Sequence, residues 1–120
     1  NEKLKRVSVS TNGQAGNGDS FSPTLSANGR VVAFSSRASD LVDNDRNSAS
    51  DIFVYDRRKQ KIKRVSIDVN GQEGDRGSFS PSLSANGKSV VFDSDANNLD
   101  LQVVDPKKPT GGVADIFFVK

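Results

Sequence analysis

The chain has 120 residues, a formal net charge of +2 and a hydrophobic content of 33%, and it contains neither histidine nor cysteine. These values allow one ordinary globular domain made of short strands and polar turns. They exclude disulfides, thiolate metal sites and any Ser-His-Asp or Cys-His catalytic site built from this chain alone. No run of about 18 apolar residues is present, so we expect no membrane-spanning segment.

Apolar segments predict the strands in chain order. An opening strand covers residues 3–10, and strands a to d of a first unit follow at residues 21–26, 30–35, 51–55 and 61–67. A second unit has strand a at residues 79–84, b at 88–93 and c at 116–119. Pro23 is expected at the start of strand a, because a sheet tolerates proline at strand starts and edges. Asn28-Gly29 predicts a tight turn between strands a and b.

The two units are copies of each other, because the sequence repeats at an offset of 58 residues (position 20 to position 78). SFSPTLSANG at residues 20–29 returns as SFSPSLSANG at residues 78–87, and KRVS occurs at both 5–8 and 63–66. A fixed period of this kind indicates a repeat architecture. Four antiparallel strands in each repeat are what a blade of a β-propeller needs.

Recurrence in both units also predicts the core between the sheets. The recurring apolar residues are Phe21, Leu25, Val32, Phe34, Ile52 and Val54, with Phe79, Leu83, Val91, Phe92, Ile116 and Phe118 as their partners. If Leu25 is buried, Leu25→Ala is expected to cost roughly 2–5 kcal/mol.

The connections between strands differ in length. The a–b and c–d turns are short, whereas the d–a loops (residues 11–19 and 70–77) and the b–c loops (36–50 and 94–114) are long and polar. Both long kinds leave a blade at the same end. Since binding residues favour loops on a rigid scaffold, we expect this long-loop face to bind a ligand, although the loops could also be tolerated insertions.

The first b–c loop has the spacing of a calcium site. Asp43, Asp45, Asn47 and Asp51 occupy relative positions 1, 3, 5 and 9, and Ala49 at position 7 can offer its backbone carbonyl. Calcium takes about six to eight oxygen ligands on a flexible loop, and positions 1, 3 and 5 of such a loop converge on one point. We predict Ca²⁺ at these five residues; the alternative is a polar loop of Asx turns.

The second unit lacks this spacing. An offset of 58 places Leu101 where the first unit has Asp43, and Val103 where it has Asp45. We therefore expect at most one calcium ion per chain.

The sequence resembles the TolB-type propeller repeat, a relative of WD-type repeats. The resemblance rests on the Ser-Pro-x-Leu-Ser-Ala-Asn-Gly run (residues 22–29 and 80–87), the Val-Phe strand that follows it, and the Asp-Ile-Phe strand at 51–53 and 115–117. It implies an all-β fold of β-propeller blades with four antiparallel strands, two blades per chain. The calcium loop also resembles the calcium hairpin of integrin-type propellers, with Asn47 and Ser48 in place of Asp and Gly. Ser48 then has to make the turn that glycine makes more easily.

We assign residues 11–68 to the first blade and 69–120 to the second, which lacks its own last strand. Residues 1–10 are expected to supply the d strand of a neighbouring chain's last blade. Two blades cannot close a ring, so the ring is completed by oligomerisation or belongs to a larger propeller. A homo-oligomer of three chains would give six blades, the number that the TolB-type resemblance favours; two or four chains are alternatives.

The expected function is a non-enzymatic binding or scaffold module. No spacing argument selects a catalytic pair from Asp40, Asp93 and Asp95. The alternatives are a carbohydrate-binding, lectin-like propeller and a fragment of a larger propeller attached to a hydrolase. The ligand is a protein or a glycan; we expect no nucleic acid, because no aromatic residues interleave with the basic runs. The calcium-type loop and the lack of cysteine favour a periplasmic or extracellular location.

Overall fold

Two antiparallel sheets make up the described part of the protein. The computed structural model describes residues 4–43, 48–68, 70–99 and 114–120, and every regular element in these ranges is a β-strand. The first sheet has the order β1-β2-β3-β4, and the second has β5-β6-β7. The strands are β1 (Ser20–Leu25), β2 (Val31–Ser36), β3 (Asp51–Asp56), β4 (Lys61–Arg64), β5 (Ser78–Leu83), β6 (Val90–Ser94) and β7 (Asp115–Val119).

The predicted strands a to d of the first unit and a to c of the second unit are therefore confirmed to within a few residues. Within the same ranges, no helix has the length and apolar character needed to cross a membrane.

Within the single chain, the described part of the predicted opening strand, residues 4–10, is not a β-strand, and its pairing with a neighbouring chain stays a prediction. Only Val9 takes part in a β-bridge, an isolated antiparallel one with Ala15. A strand is stabilised by the ladder to its neighbour, and no described strand lies beside this segment. Val7 and Val9 instead pack against the outer face of the first sheet, and Leu4 is fully exposed.

Pro23 lies inside β1 rather than at its start, which corrects a second prediction. The pairing of β1 with β2 shifts register between Phe21 and Thr24, so Ser22 and Pro23 form a bulge. Ser22 has φ +56°, and its counterpart Ser80 has φ +55°. A proline has no N–H to donate, and a bulge on an edge strand does not need one.

The a–b turn forms as predicted. Gly29 has φ +72°, a conformation that glycine adopts without a steric penalty. The Asn28 side-chain oxygen accepts the Arg30 N–H at 3.0 Å, and the Ser26 hydroxyl accepts the Val31 N–H at 3.0 Å. The second unit repeats these bonds through Asn86 and Ser84. The Ala27 N–H donates to the Ala85 carbonyl at 2.9 Å, so the two turns also join the sheets.

Two apolar clusters hold the fold together. The intersheet core lies between the sheets, and a second cluster lies on the face of the first sheet that points away from the second. The intersheet core comprises Ala33, Ile52, Val65, Val90, Phe92, Ala96 and Leu99, with Val54, Leu83, Phe117 and Val119 packed against it. The outer cluster comprises Phe34, Ala38, Leu41, Phe53 and Tyr55, flanked by Val7, Val9, Val32, Val42 and Ile62.

Four residues of the predicted core are exposed instead. Their exposed fractions are 59% for Leu25, 39% for Val91, 74% for Ile116 and 65% for Phe118. Successive side chains of a strand alternate between its two faces, and these four point away from the intersheet core. The predicted large cost of Leu25→Ala is therefore withdrawn: we expect only a small loss for a side chain this exposed.

The c–d turn is fixed by a charged pair. Arg30 donates to both carboxylate oxygens of Asp56, at 3.2 and 3.1 Å, and the backbone N–H groups of Arg58 and Lys59 donate to the same carboxylate. These hydrogen bonds, that from Arg30 above all, lower the pKa of Asp56 from 3.8 to about 2. The carboxylate is therefore more favourable in the folded chain than in the unfolded one.

This pair predicts a pH-dependent stability. Because folding depresses the pKa of Asp56, its contribution is present above pH 3.8 and disappears as the pH falls towards 2. Asp56→Asn should therefore lower stability near neutral pH, and the gap from wild type should narrow between pH 4 and 2. Denaturant unfolding at several pH values measures this, with Asp19→Asn as the control for net charge. A gap that does not change with pH would contradict the prediction.

Candidate functional site

The described parts of the long loops lie together at one end of the sheets, as predicted from the loop lengths. In the first unit the Asn17 side chain donates to the Ser39 hydroxyl and accepts the Ser39 N–H, both at 2.8 Å. The Asn17 N–H donates to the Asp40 carboxylate at 3.0 Å. The d–a loop is thus joined to the b–c loop within its own unit.

The second unit repeats this junction with its amide and acid exchanged. Asp75 stands at the position of Asn17, and its carboxylate accepts the Asn97 N–H at 2.8 Å. Asn98 stands at the position of Asp40, and its amide oxygen accepts the Asp75 N–H at 2.9 Å. The hydrogen-bonded geometry is therefore the same in both units. The carboxylate, however, lies on the b–c loop in the first unit and on the d–a loop in the second, so the two units place their negative charge differently.

Pairs of serines fix the roots of these loops. The Ser20 hydroxyl donates to the Ser36 hydroxyl at 2.8 Å, and Ser36 in turn donates to the Asp19 carbonyl at 3.2 Å. Ser78 and Ser94 make the equivalent bond at 2.9 Å, and both are fully buried. Ser36 is also fully buried, whereas Ser20 is exposed, so the loops start from hydrogen-bonded positions of which three are buried.

Three of the five predicted calcium ligands lie in the described part of the chain. Asp43 is exposed, Ala49 is half-buried, and Asp51 is fully buried. Asp45 and Asn47 lie outside the described residues. Among the described side chains, no three acidic groups come together as a metal site.

Asp51 has a structural role that the sequence did not indicate. Its Oδ1 atom accepts the Ser66 hydroxyl at 3.1 Å, and its Oδ2 atom lies 4.0 Å from Nη1 of Arg64. Nη1 of Arg64 also contacts Oε2 of Glu73 at 3.0 Å. Asp51 thus ties the start of β3 to the segment after β4, and a cation bound there would share this carboxylate with Ser66. Arg64 and Ser66 both belong to the repeated KRVS run, and this repetition could have indicated in the sequence that the two residues have a structural role.

Ser48 makes the turn that was expected of it. Its φ is +52°, in the left-handed region where an L-residue with a side chain is strained by roughly 1–2 kcal/mol. The b–c loop therefore places a serine where glycine fits better.

Ser48→Gly is expected to raise the free energy of unfolding by about 0.5–1 kcal/mol, since relief of the strain exceeds the added chain entropy of the unfolded state. Ala49→Gly is the matched control: Ala49 has no positive φ, so this change should reduce stability. Urea titration distinguishes the two. Equal effects of both substitutions would refute the assigned strain.

The aromatic rings offer no open platform at this end of the described structure. Phe34, Phe53, Tyr55 and Phe92 are each at most 4% exposed. Phe21 and Phe79, at the loop ends of β1 and β5, stack on each other with centroids 6.4 Å apart. The Arg37 guanidinium lies 5.7 Å from the Phe21 ring centroid. A sugar ring stacks on a free aromatic face, and these faces are already in contact with the protein.

The chain matches no protein-family model and none of the curated proteins with which it was compared. Among solved structures it is similar to TolB from Acinetobacter baumannii, with 21% sequence identity and a TM-score of 0.43. The match covers 70% of this chain and 17% of the TolB chain. The likeness is a weak one of fold, and the chain spans less than a fifth of that protein's length.

Proposed function

We propose that this chain is a non-catalytic binding module made of two β-propeller blades. The observation that carries this is the repeated architecture: two meandering antiparallel sheets pack face to face, and the long polar connections of both leave at one end. A propeller is built from sheets of this kind arranged around a channel, and its loops provide the binding surface.

The chemistry of the chain supports a binding role over catalysis. Neither histidine nor cysteine occurs in the sequence, so the usual general base and thiol nucleophile are lacking. The carboxylates of Asp51 and Asp56 are engaged by cations and hydrogen bonds that hold the sheets in place. The loop face instead offers amide, hydroxyl and carboxylate groups, and the loops that carry them begin at hydrogen-bonded serine pairs on the sheets. Such groups suit polar recognition of a protein or glycan.

The calcium site belongs to this proposal. Asp43, Asp45, Asn47, the Ala49 carbonyl and Asp51 would hold one Ca²⁺ and fix the first b–c loop. Its support is the oxygen spacing together with the left-handed turn at Ser48, which bends the loop inside that spacing. We propose a periplasmic or extracellular location, where calcium is plentiful enough to occupy such a site.

Calcium should raise the melting temperature, and a chelator should lower it. A ligand that binds only the folded state stabilises it by about 2.7 kcal/mol at a hundredfold excess over Kd. Asp45→Ala should abolish the shift. Asp105→Ala, in the loop that lacks the spacing, should keep it. Asp51→Ala is unsuitable here, because Asp51 also holds β3 in place. Identical wild-type melting curves with and without calcium would rule the site out.

A glycan array distinguishes the two ligand classes. Sugar binding that depends on calcium and is lost in Asp43→Ala would assign the loop face to glycans. An array without binding would leave a protein ligand as the proposed class.

A further inference from the structure

The charged residues are divided between the two ends of the sheets. The three short connections, residues 26–30, 57–60 and 84–89, are described in full, and they contain five basic residues and no acidic one. One of the five side chains is half-buried and the other four are exposed. We call the surface that they form the short-turn face; its residues are Arg30, Arg57, Arg58, Lys59 and Lys88.

The acidic residues lie at the opposite end. Among the described residues Asp56, the last residue of β3, is the exception, and Arg30 offsets its charge at 3.1 Å. Every other described acidic residue precedes β1, lies in the connections β2–β3, β4–β5 or β6–β7, or stands within two residues of them. The described parts of these three connections contain two basic residues, Arg37 and Arg76. The described structure therefore has a basic end and an acidic end, whereas the net charge of the whole chain is only +2.

Hydrogen bonds hold the c–d turn, which carries three of the five cations. The Asp56 carboxylate accepts the backbone N–H of Arg58 at 3.0 Å and that of Lys59 at 3.1 Å. Nη1 of Arg57 donates to the Gly29 carbonyl at 2.6 Å and so links this turn to the a–b turn of the same sheet. A surface held in this way loses less conformational entropy when a ligand binds than a flexible segment does.

The a–b turn of the second unit lies directly against that of the first. The Ala27 N–H donates to the Ala85 carbonyl at 2.9 Å. A Cβ atom at Gly87 would come within 2.8 Å of the Val31 side chain, so the close approach of the two turns requires glycine. Lys88 follows Gly87 in the chain, and the short-turn face therefore extends across both sheets.

We propose that the short-turn face binds an anionic polysaccharide, with its arginine and lysine side chains pairing with sulfate or carboxylate groups spaced along the polymer. A guanidinium group pairs with such oxyanions through two parallel hydrogen bonds. Cations spread over three turns suit a long polyanion, because one exposed ion pair contributes little and several must form together. This surface is separate from the long-loop face and depends neither on calcium nor on the proposed blade architecture.

The composition of the three short connections favours a polysaccharide over other polyanions. They contain no aromatic ring on which a nucleic-acid base could stack. Their apolar side chains are those of Ala27 and Ala85, which are too small to anchor the protein in a bilayer. The amide side chains of Asn28 and Asn86 are exposed in the same turns, and an amide NH₂ group can donate to a sugar hydroxyl.

Heparin, a sulfated polysaccharide, is the probe, and neutral dextran is the comparison for an uncharged chain. Fluorescence anisotropy of the labelled polysaccharides measures binding of the full chain at several salt concentrations. The wild type should bind heparin and not dextran. Arg58→Gln combined with Lys59→Gln keeps the backbone bonds to Asp56 and should weaken heparin binding. The slope of log affinity against log salt should fall by about one for each cation removed, because fewer counterions are released.

Arg37→Gln combined with Arg76→Gln is the matched control, because it removes the same charge from the acidic end. Its affinity for heparin and its salt slope should equal those of the wild type, and thermal melting checks that every variant is folded. Equal losses in the two double variants would show that binding follows net charge alone and would overturn the proposal. A wild type that does not bind heparin would overturn it as well.

Two further measurements use the wild type alone. Backbone amide chemical shifts of the isotopically labelled chain should change on heparin addition at residues 57–59 and 88; changes confined to the long loops would overturn the assigned surface. Duplex DNA and phosphatidylglycerol vesicles are compared with heparin at the same salt concentration. Weaker binding of both supports the polysaccharide, whereas tighter binding of either would assign the short-turn face to nucleic acid or to a membrane and overturn the proposed ligand.

Discussion

Arg64→Ala is expected to cost about 3–5 kcal/mol, because it removes the cation beside the fully buried Asp51. The Arg64 side chain is itself only 9% exposed and also contacts Glu73 at 3.0 Å. Without Arg64, the buried Asp51 carboxylate keeps its hydrogen bond from Ser66 but loses the nearby cation, so removing one member of the ion pair is worse than removing both. Chemical unfolding of purified variants measures the loss.

The matched comparison uses a double-mutant cycle. Arg64→Ala with Asp51→Ala should cost less than the sum of the two single changes, since the double variant leaves no buried charge in this pair. Arg6→Ala alters the other copy of the KRVS run at an exposed position and should have little effect. Additive single losses would show that Arg64 and Asp51 act independently.

The second large effect is expected at Ile52. Ile52 is fully buried in the intersheet core, so Ile52→Ala should lower the free energy of unfolding by about 2–5 kcal/mol. The loss combines the transfer of the deleted carbons with the cavity that they leave between closely packed sheets.

Ile116 provides the control within the same chain. It occupies the same place in the Asp-Ile-Phe repeat and is 74% exposed. Ile116→Ala should therefore cost well under 1 kcal/mol. Equal losses at Ile52 and Ile116 would mean that the faces of the two sheets have been assigned wrongly.

Much of the local structure could be predicted from the sequence. Asn28-Gly29 specifies its turn because glycine alone takes a positive φ freely, and Gly29 has φ +72°. The offset of the repeat gave the strand order, since identical segments make identical local choices. The gathering of the long loops followed from the meander, and the contact between Asn17 and Ser39 confirms it.

The burial of each strand face could not be predicted. Alternation divides the side chains of a strand into two sets, but it does not say which set another sheet will cover. Ile52 and Ile116 have the same neighbours in sequence, yet one is buried and the other is 74% exposed. The prediction of the core from recurrence failed at Leu25 for the same reason. Leu25 and Leu83 recur at the same place in the repeat, but only Leu83 lies on a sheet face that the other sheet covers.

The role of Asp51 also depended on tertiary structure. Spacing alone placed it in a calcium loop, while the folded chain brings Ser66 to within 3.1 Å of its carboxylate across the sheet. The sequence by itself determined the turns, the strand order and the repeat, because these depend on residues close together in the chain. Only the tertiary structure decided which apolar faces are covered and which partner Asp51 meets, because both depend on how one sheet packs beside another.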